Sequence, residues 1–101
     1  MAHYFENDDS LKSEELMKEV IIGDKRYQFI TDNGVFSKKG LDFGTRTLLE
    51  SLDLSKISGN VLDMGCGYGP IGIYVADNTD ASVHMVDVNN RSLNLAIKNA
   101  N

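Results

Sequence analysis

An α/β domain opening a doubly wound parallel sheet is predicted by three features of this 101-residue sequence. A short β-rich run, Asn60-Val61-Leu62-Asp63-Met64, enters a glycine-punctuated loop, Gly65-Cys66-Gly67-Tyr68-Gly69. A helix then opens at Pro70, a residue suited to the first helical position because its missing N–H is not needed there. A second β-rich run at 82–88 follows, and after it an amphipathic stretch that Asn89 or Asn90 would cap. Strand, glycine loop, helix, strand, helix is the beginning of a sheet with crossover helices.

The elements ahead of that unit are read in order. Residues 10–18 suggest a short helix, with Ser10 or Ser13 as cap and Glu14 and Glu15 in its first turn. Glu19-Val20-Ile21-Ile22 and Lys25-Arg26-Tyr27-Gln28-Phe29-Ile30 flank Gly23-Asp24, a glycine-first two-residue turn, and predict a β-hairpin. Tyr27 and Phe29 share one face by the period of two and are expected to cover core rather than to stack on bases. Residues 31–40 read as a loop. Asp42 is a plausible cap for a helix to about Leu52, with Thr45, Leu48, Leu49 and Leu52 on one stripe.

In the second half, Ile71, Ile73, Tyr74, Val75 and Ala76 make the helix after Pro70 apolar almost all round, so burial is expected. The last helix would bury Leu93, Ala96, Ile97 and Ala100. His84, mid-strand, is expected to be packed rather than catalytic. Two units follow: an N-terminal extension with the hairpin over 1–40, and the first half of a sheet domain over 41–101. Two parallel strands leave a sheet edge open, which predicts an incomplete domain prone to self-association through that edge.

Composition narrows the classes. Hydrophobic residues at 42% and charged residues at 25% fit a water-soluble globular chain. No apolar run approaches the roughly 18 residues of a membrane span. The one cysteine, Cys66, cannot form an internal disulfide, and a cytoplasmic location is expected. Net charge is −5, which argues against general nucleic-acid stickiness. Yet residues 25–46 carry five basic side chains (Lys25, Arg26, Lys38, Lys39, Arg46) against Asp32 and Asp42. That window is either a solvated loop or a phosphate-contacting surface. Two histidines and one cysteine, scattered, form no metal-ligand cluster. Nothing near Cys66 would activate it as a nucleophile.

The glycine loop carries the chemistry. Glycine permits the tight turn and lets a ligand lie against bare backbone. Read from Gly67, the loop also fits the dinucleotide spacing Gly67, Gly69, Gly72, but the strand runs into Gly65, one step earlier. Asp63, two residues before Gly65, would repel a pyrophosphate and attract the ammonium and sulfonium of S-adenosylmethionine. Pro70 removes a helix N–H that a phosphate would want. Asp87, 24 residues beyond Asp63, can accept the ribose hydroxyls, the alternative being that it merely starts a turn toward Asn89. Val88 beside it could pack on adenine.

Several segments together carry a family resemblance: Gly34-Val35-Phe36-Ser37-Lys38, Leu41-Asp42-Phe43-Gly44-Thr45, the run from Val61 to Gly72, Val86-Asp87-Val88-Asn89, and Ala96-Ile97-Lys98-Asn99-Ala100. From about Tyr27 onward the chain resembles the small-domain S-adenosylmethionine-dependent methyltransferases typified by ribosomal RNA small subunit methyltransferase C. The resemblance implies a Rossmann-like methyltransferase fold and methyl transfer to the exocyclic amine of a guanine in ribosomal RNA. It places Asp63, Gly65, Cys66, Gly67, Gly69, Asp87 and Val88 around the cofactor, with Phe36, Asp42 and Gly44 at its methionine end. Lys38 and Lys39 would approach RNA. The family's Asn-Pro-Pro-aromatic signature, which grips the target amine, has no counterpart, because Pro70 is the single proline. No catalytic residue is assigned, and the isolated chain is expected to hold cofactor without turning over. Competing readings are methylation of a small molecule or protein, an NAD-binding fragment, and a non-catalytic module working with a partner chain.

Overall fold

The structure, a computed structural model, describes residues 14–32, 41 and 43–101. The chain begins with β1 (Leu16–Ile22) and β2 (Lys25–Thr31), an antiparallel pair in register from Leu16 opposite Thr31 to Ile22 opposite Lys25. Gly23, at φ +62°, makes the two-residue turn that the sequence predicts. The helix expected over 10–18 is corrected within the described residues. Leu16, Met17 and Lys18 are strand, and Glu14 and Glu15 have no helical structure. The inward face of β1 carries Val20 and Ile22, both buried, and β2 answers with Phe29 and Thr31. The hydrophobic return on seven paired residues outweighs a weak local helix signal.

Next come α1 (Phe43–Ser51), a 3-10 turn (Leu54–Lys56) capped by Asp53, and β3 (Asn60–Met64). The expected cap of α1, Asp42, lies outside the described residues. On α1, Leu49 is buried, but Leu48 is 47% exposed and drops out of the predicted stripe. After β3 come α2 (Pro70–Asn78), β4 (Ser82–Val86) and α3 (Asn90–Ala100). β3 and β4 pair in parallel, Asn60 opposite Ser82 through Met64 opposite Val86, with α2 as the crossover. Strand β4 therefore ends at Val86, two residues short of expectation, which frees Asp87 and Val88 from the ladder.

One core joins these pieces. Val20, Ile22 and Phe29 of the hairpin meet Leu49, Tyr68, Tyr74 and Leu95. Among the described residues, side-chain bonds tie the hairpin to all three helices. Glu50 of α1 accepts from Gly23 N–H at 2.9 Å. Tyr27 donates its hydroxyl to Asp77 of α2 at 2.7 Å and accepts from Asn78 at 3.0 Å. Asn99 of α3 bonds both backbone groups of Ile30. Burial and the bond to Asp77 push the Tyr27 hydroxyl up to about 12, while that bond holds the Asp77 carboxyl below its usual range. Phe29 is buried as expected, stacked on Tyr27 at 5.8 Å.

The stripe of α3 is rotated from the expected one: Ser92, Leu95 and Ala96 are buried, whereas Ile97 is 62% exposed and Ala100 is exposed. His84 is also exposed, not packed. It shares a face of the parallel pair with Leu62, Met64 and Val86, all exposed, and among the described residues nothing covers that face. Val61, Asp63, Val83 and Met85 point the other way, toward the helices, by the alternation of a strand. Among the described residues no helix is long and apolar enough to cross a membrane.

Candidate functional site at the glycine loop

The loop between β3 and α2 is built by three alternating glycines in the left-handed region: Gly65 at φ +67°, Gly67 at +59° and Gly69 at +103°. A side chain at any of them would strain the backbone. Cys66 N–H donates to Val86 carbonyl oxygen at 2.9 Å, so the loop extends the parallel ladder by one bond and stays against the end of β4. Gly69 N–H then closes back on Cys66 carbonyl oxygen at 3.1 Å, and Gly69 carbonyl oxygen accepts the first helical bond, from Ile73. The result is a turn lying across the carboxyl ends of both strands, the place where open α/β sheets bind ligands.

Asp87 governs the loop. Its Oδ2 accepts from Gly67 N–H at 2.9 Å and its Oδ1 from Asn89 N–H at 2.9 Å. Asn89 in turn caps α3 by accepting from Ser92 N–H at 3.0 Å. The turn role and the ligand role weighed for Asp87 are therefore compatible: the carboxylate starts the turn and stands beside the loop. Val88, next to it, is 65% exposed although apolar.

Asp63 sits differently from expectation in one respect. It is 9% exposed and faces α2, where its Oδ2 accepts from Gly72 N–H at 3.0 Å. Burial raises its carboxyl above the usual range, the Gly72 bond opposes this, and the Asp87 charge adds to the rise. Gly72 has its own structural reason. A Cβ there would stand 2.7 Å from Met85 Cγ and Sδ and 3.1 Å from Asp63 Oδ2, so its absence allows α2 to approach β4. Cys66 is buried, and burial, followed by the charges of Asp63 and Asp87, pushes its thiol up to about 11. That shift favours the thiol over the reactive thiolate at neutral pH.

The site thus gathers Asp63, Gly65, Cys66, Gly67, Gly69, Asp87 and Val88 at one end of the parallel pair. A Cβ on Gly65 or Gly67 would meet nothing within 4 Å, so bare backbone faces open space there. Gly44 lies in the exposed first turn of α1. Phe36, Asp42, Lys38 and Lys39 lie outside the described residues. A depression of about 450 Å³ between the hairpin and α3, lined by Glu15, Asp32, Asn90, Arg91 and Lys98 among others, includes none of the loop glycines. The sequence reading missed two side chains here. Buried Asp32 accepts a bond from Glu14 N–H, and Asn99 reaches the loop itself through Tyr68 carbonyl oxygen at 2.8 Å. Neither belongs to an apolar period, so hydrophobic patterning could not find them.

Residues 26–101 match the family model described as methyltransferase small domain. The chain belongs to that family. Its relatives include a Bacillus subtilis protein called uncharacterized protein YbxB, 43% identical over 97% of this chain and 49% of the relative. Ribosomal RNA small subunit methyltransferase C of Haemophilus influenzae is 46% identical over 64% of this chain and 20% of its own length. A solved structure, the T. thermophilus 16S rRNA N2 G1207 methyltransferase RsmC in complex with AdoMet and guanosine, superposes with a TM-score of 0.75 at 29% identity. It covers 88% of this chain and 25% of the other. The chain therefore spans about half the length of the Bacillus relative and less of the others.

Proposed function

We propose that this chain is the cofactor-binding half of an S-adenosylmethionine-dependent methyltransferase that modifies the exocyclic amine of a guanine in ribosomal RNA. The observation that carries the cofactor assignment is the loop geometry: three left-handed glycines across the strand ends, with Gly67 held by Asp87 and bare backbone facing open space. Methyltransferase family membership supports it, as does the likeness to an rRNA methyltransferase solved with AdoMet. The guanine and the ribosomal RNA come from that relative and from methyltransferase C.

In this proposal each residue has a physical task. The loop at Gly65, Cys66, Gly67 and Gly69 offers backbone to the methionine and ribose portions. Asp87 uses its remaining lone pairs for the ribose hydroxyls while keeping Gly67 in place. Val88 gives the adenine an apolar surface. Asp63, beneath the loop, supplies negative potential toward the cofactor's cationic groups. Phe36, Asp42 and Gly44 border the methionine end, and Lys38 and Lys39 meet RNA phosphate. The cofactor, when bound, supplies an electrophilic methyl on its sulfonium. Methyl transfer also needs the acceptor nitrogen about 3–3.5 Å away and in line, and no residue here is assigned that positioning. The isolated chain should hold cofactor without turnover, and the open face and edge of β3 and β4 should favour self-association. A cytoplasmic enzyme fits this substrate.

The test is a radiolabelled methyl-transfer assay on ribosomal RNA, run with this chain and with a protein that also carries an Asn-Pro-Pro segment. Transfer by the longer protein alone is expected. Multiple turnovers by the 101-residue chain, or transfer by the longer protein to protein or small molecules but not RNA, would overturn the proposal.

A further inference from the structure

The geometry points to Asn99 as a positioning residue that locks the glycine loop to the N-terminal hairpin, in service of the cofactor site proposed above. Asn99 lies in the last turn of α3, half-buried, and its side-chain amide makes three bonds. Oδ1 accepts from Ile30 N–H at 2.7 Å, and Nδ2 donates to Ile30 carbonyl oxygen at 3.1 Å and to Tyr68 carbonyl oxygen at 2.8 Å. Toward Ile30 the amide acts as one residue of a neighbouring strand would, pairing both backbone groups on the outer edge of β2. Its second N–H is thereby left to reach the loop.

Tyr68 is the loop residue between Gly67 and Gly69, both in left-handed conformation. Two anchors hold it from the same direction. Its carbonyl is taken by Asn99, and its ring, 4% exposed, meets Phe29 of β2 edge-on at 5.5 Å. The hairpin and the last helix thus form a back plate for the loop. On the opposite side Asp87 holds Gly67 N–H. With both sides fixed, the loop presents its backbone in one conformation and loses less entropy on binding. The amide cannot be replaced by its acid: a carboxylate at 99 keeps the acceptor for Ile30 N–H but faces two carbonyl oxygens with no proton to give.

The experiment is amide hydrogen exchange by NMR on the full chain, with calorimetric titration of S-adenosylhomocysteine, for wild type, Asn99→Asp, Asn99→Ala and Tyr27→Phe. Tyr27→Phe loosens the same hairpin at another tether, the one on Asp77, without touching the loop. The Asn99 variants should speed exchange at Gly67 and Gly69 about tenfold more than at β3 and weaken S-adenosylhomocysteine about tenfold. Tyr27→Phe, compared at equal residual stability, should do neither. Should an Asn99 variant not fold, the wild-type Asn99 side-chain amide supplies the readout: its signals should be protected from exchange and should shift on titration. Loop exchange and affinity unchanged in the Asn99 variants, or changed equally in Tyr27→Phe, would overturn the assignment, as would unprotected Asn99 signals. Absence of binding by wild type would count against the cofactor site itself, and the exchange rates would still judge Asn99.

Discussion

Replacing Asp87 by alanine tests the loop geometry through stability, before any ligand is added. The substitution takes away both acceptors that Asp87 gives to backbone, Oδ2 for Gly67 N–H and Oδ1 for Asn89 N–H, each at 2.9 Å. Bonds to charged groups contribute about 1.5–3 kcal/mol each, and this carboxylate is half-exposed, so the lower end applies. Two such bonds give about 3 kcal/mol, a large share of the roughly 5–15 kcal/mol that holds a small domain folded. A change of 1 kcal/mol moves the midpoint of a domain this size by about 4–8 °C, so the variant should melt on the order of 15 °C below wild type. Asp87→Asn keeps one acceptor oxygen but turns an NH2 donor toward the other backbone N–H, so it should lose at least half as much. Urea unfolding with the midpoint lowered and the slope unchanged would locate the effect in the folded state. An Asp87→Ala variant that melts like wild type would refute the claim that this carboxylate holds the loop. If it folds, its affinity for S-adenosylhomocysteine should fall by about 1.5–3 kcal/mol, the contribution of lost bonds to the ribose.

Other substitutions separate other contacts. Tyr27→Phe should cost about 1 kcal/mol, since the Asp77 partner is exposed. Because the Asp77 carboxyl lies below its ordinary 3.8 when folded, that difference should persist above 3.8 and vanish as pH falls through the lowered value in acid unfolding. Asp63 has the opposite sign. Its raised carboxyl gives stability that is present below 3.8 and lost as pH rises through the folded value, so Asp63→Asn should gain on wild type toward neutral pH while binding cofactor more weakly. Melting curves and calorimetry on one preparation check both halves. Gly72→Ala should cost about 1–3 kcal/mol by pressing on Met85, and Met85→Val should relieve part of it. Iodoacetamide should label Cys66 slowly at neutral pH in the folded chain and quickly once urea unfolds it, because burial both hides the thiol and pushes it up.

What the sequence made legible follows from how local each signal is. The hairpin turn at Gly23-Asp24, the strand at Asn60–Met64, Pro70 opening α2 and an asparagine cap on α3 are set by a few adjacent residues, and the structure has all four, choosing Asn89 over Asn90 as the cap. The alternating glycines likewise announce a loop whose left-handed turns the backbone confirms. Misreadings came where a distant partner decides. Leu16, Met17 and Lys18 are strand because Thr31, Ile30 and Phe29 lie opposite them. The α3 stripe was misjudged because two positions on its inner side are polar: Ser92, buried with its N–H bonded to the Asn89 cap, and Asn99, bonded to β2 and the loop. His84 sits on a face of the parallel pair that nothing covers among the described residues. Spacing singled out Asp63 and Asp87, but their backbone partners, Gly72 and Gly67, emerge only with the loop closed.

The most direct measurement is an NMR titration of the isotope-labelled chain with S-adenosylhomocysteine and, separately, with NAD. S-adenosylhomocysteine should shift Gly65, Cys66, Gly67, Gly69, Asp87 and Val88 together in a saturable way, leaving the outer face at Leu62 and His84 unmoved, and NAD should bind far more weakly. Shifts scattered over the molecule, or NAD moving the same loop at equal or lower concentration, would contradict the assignment of this loop to S-adenosylmethionine.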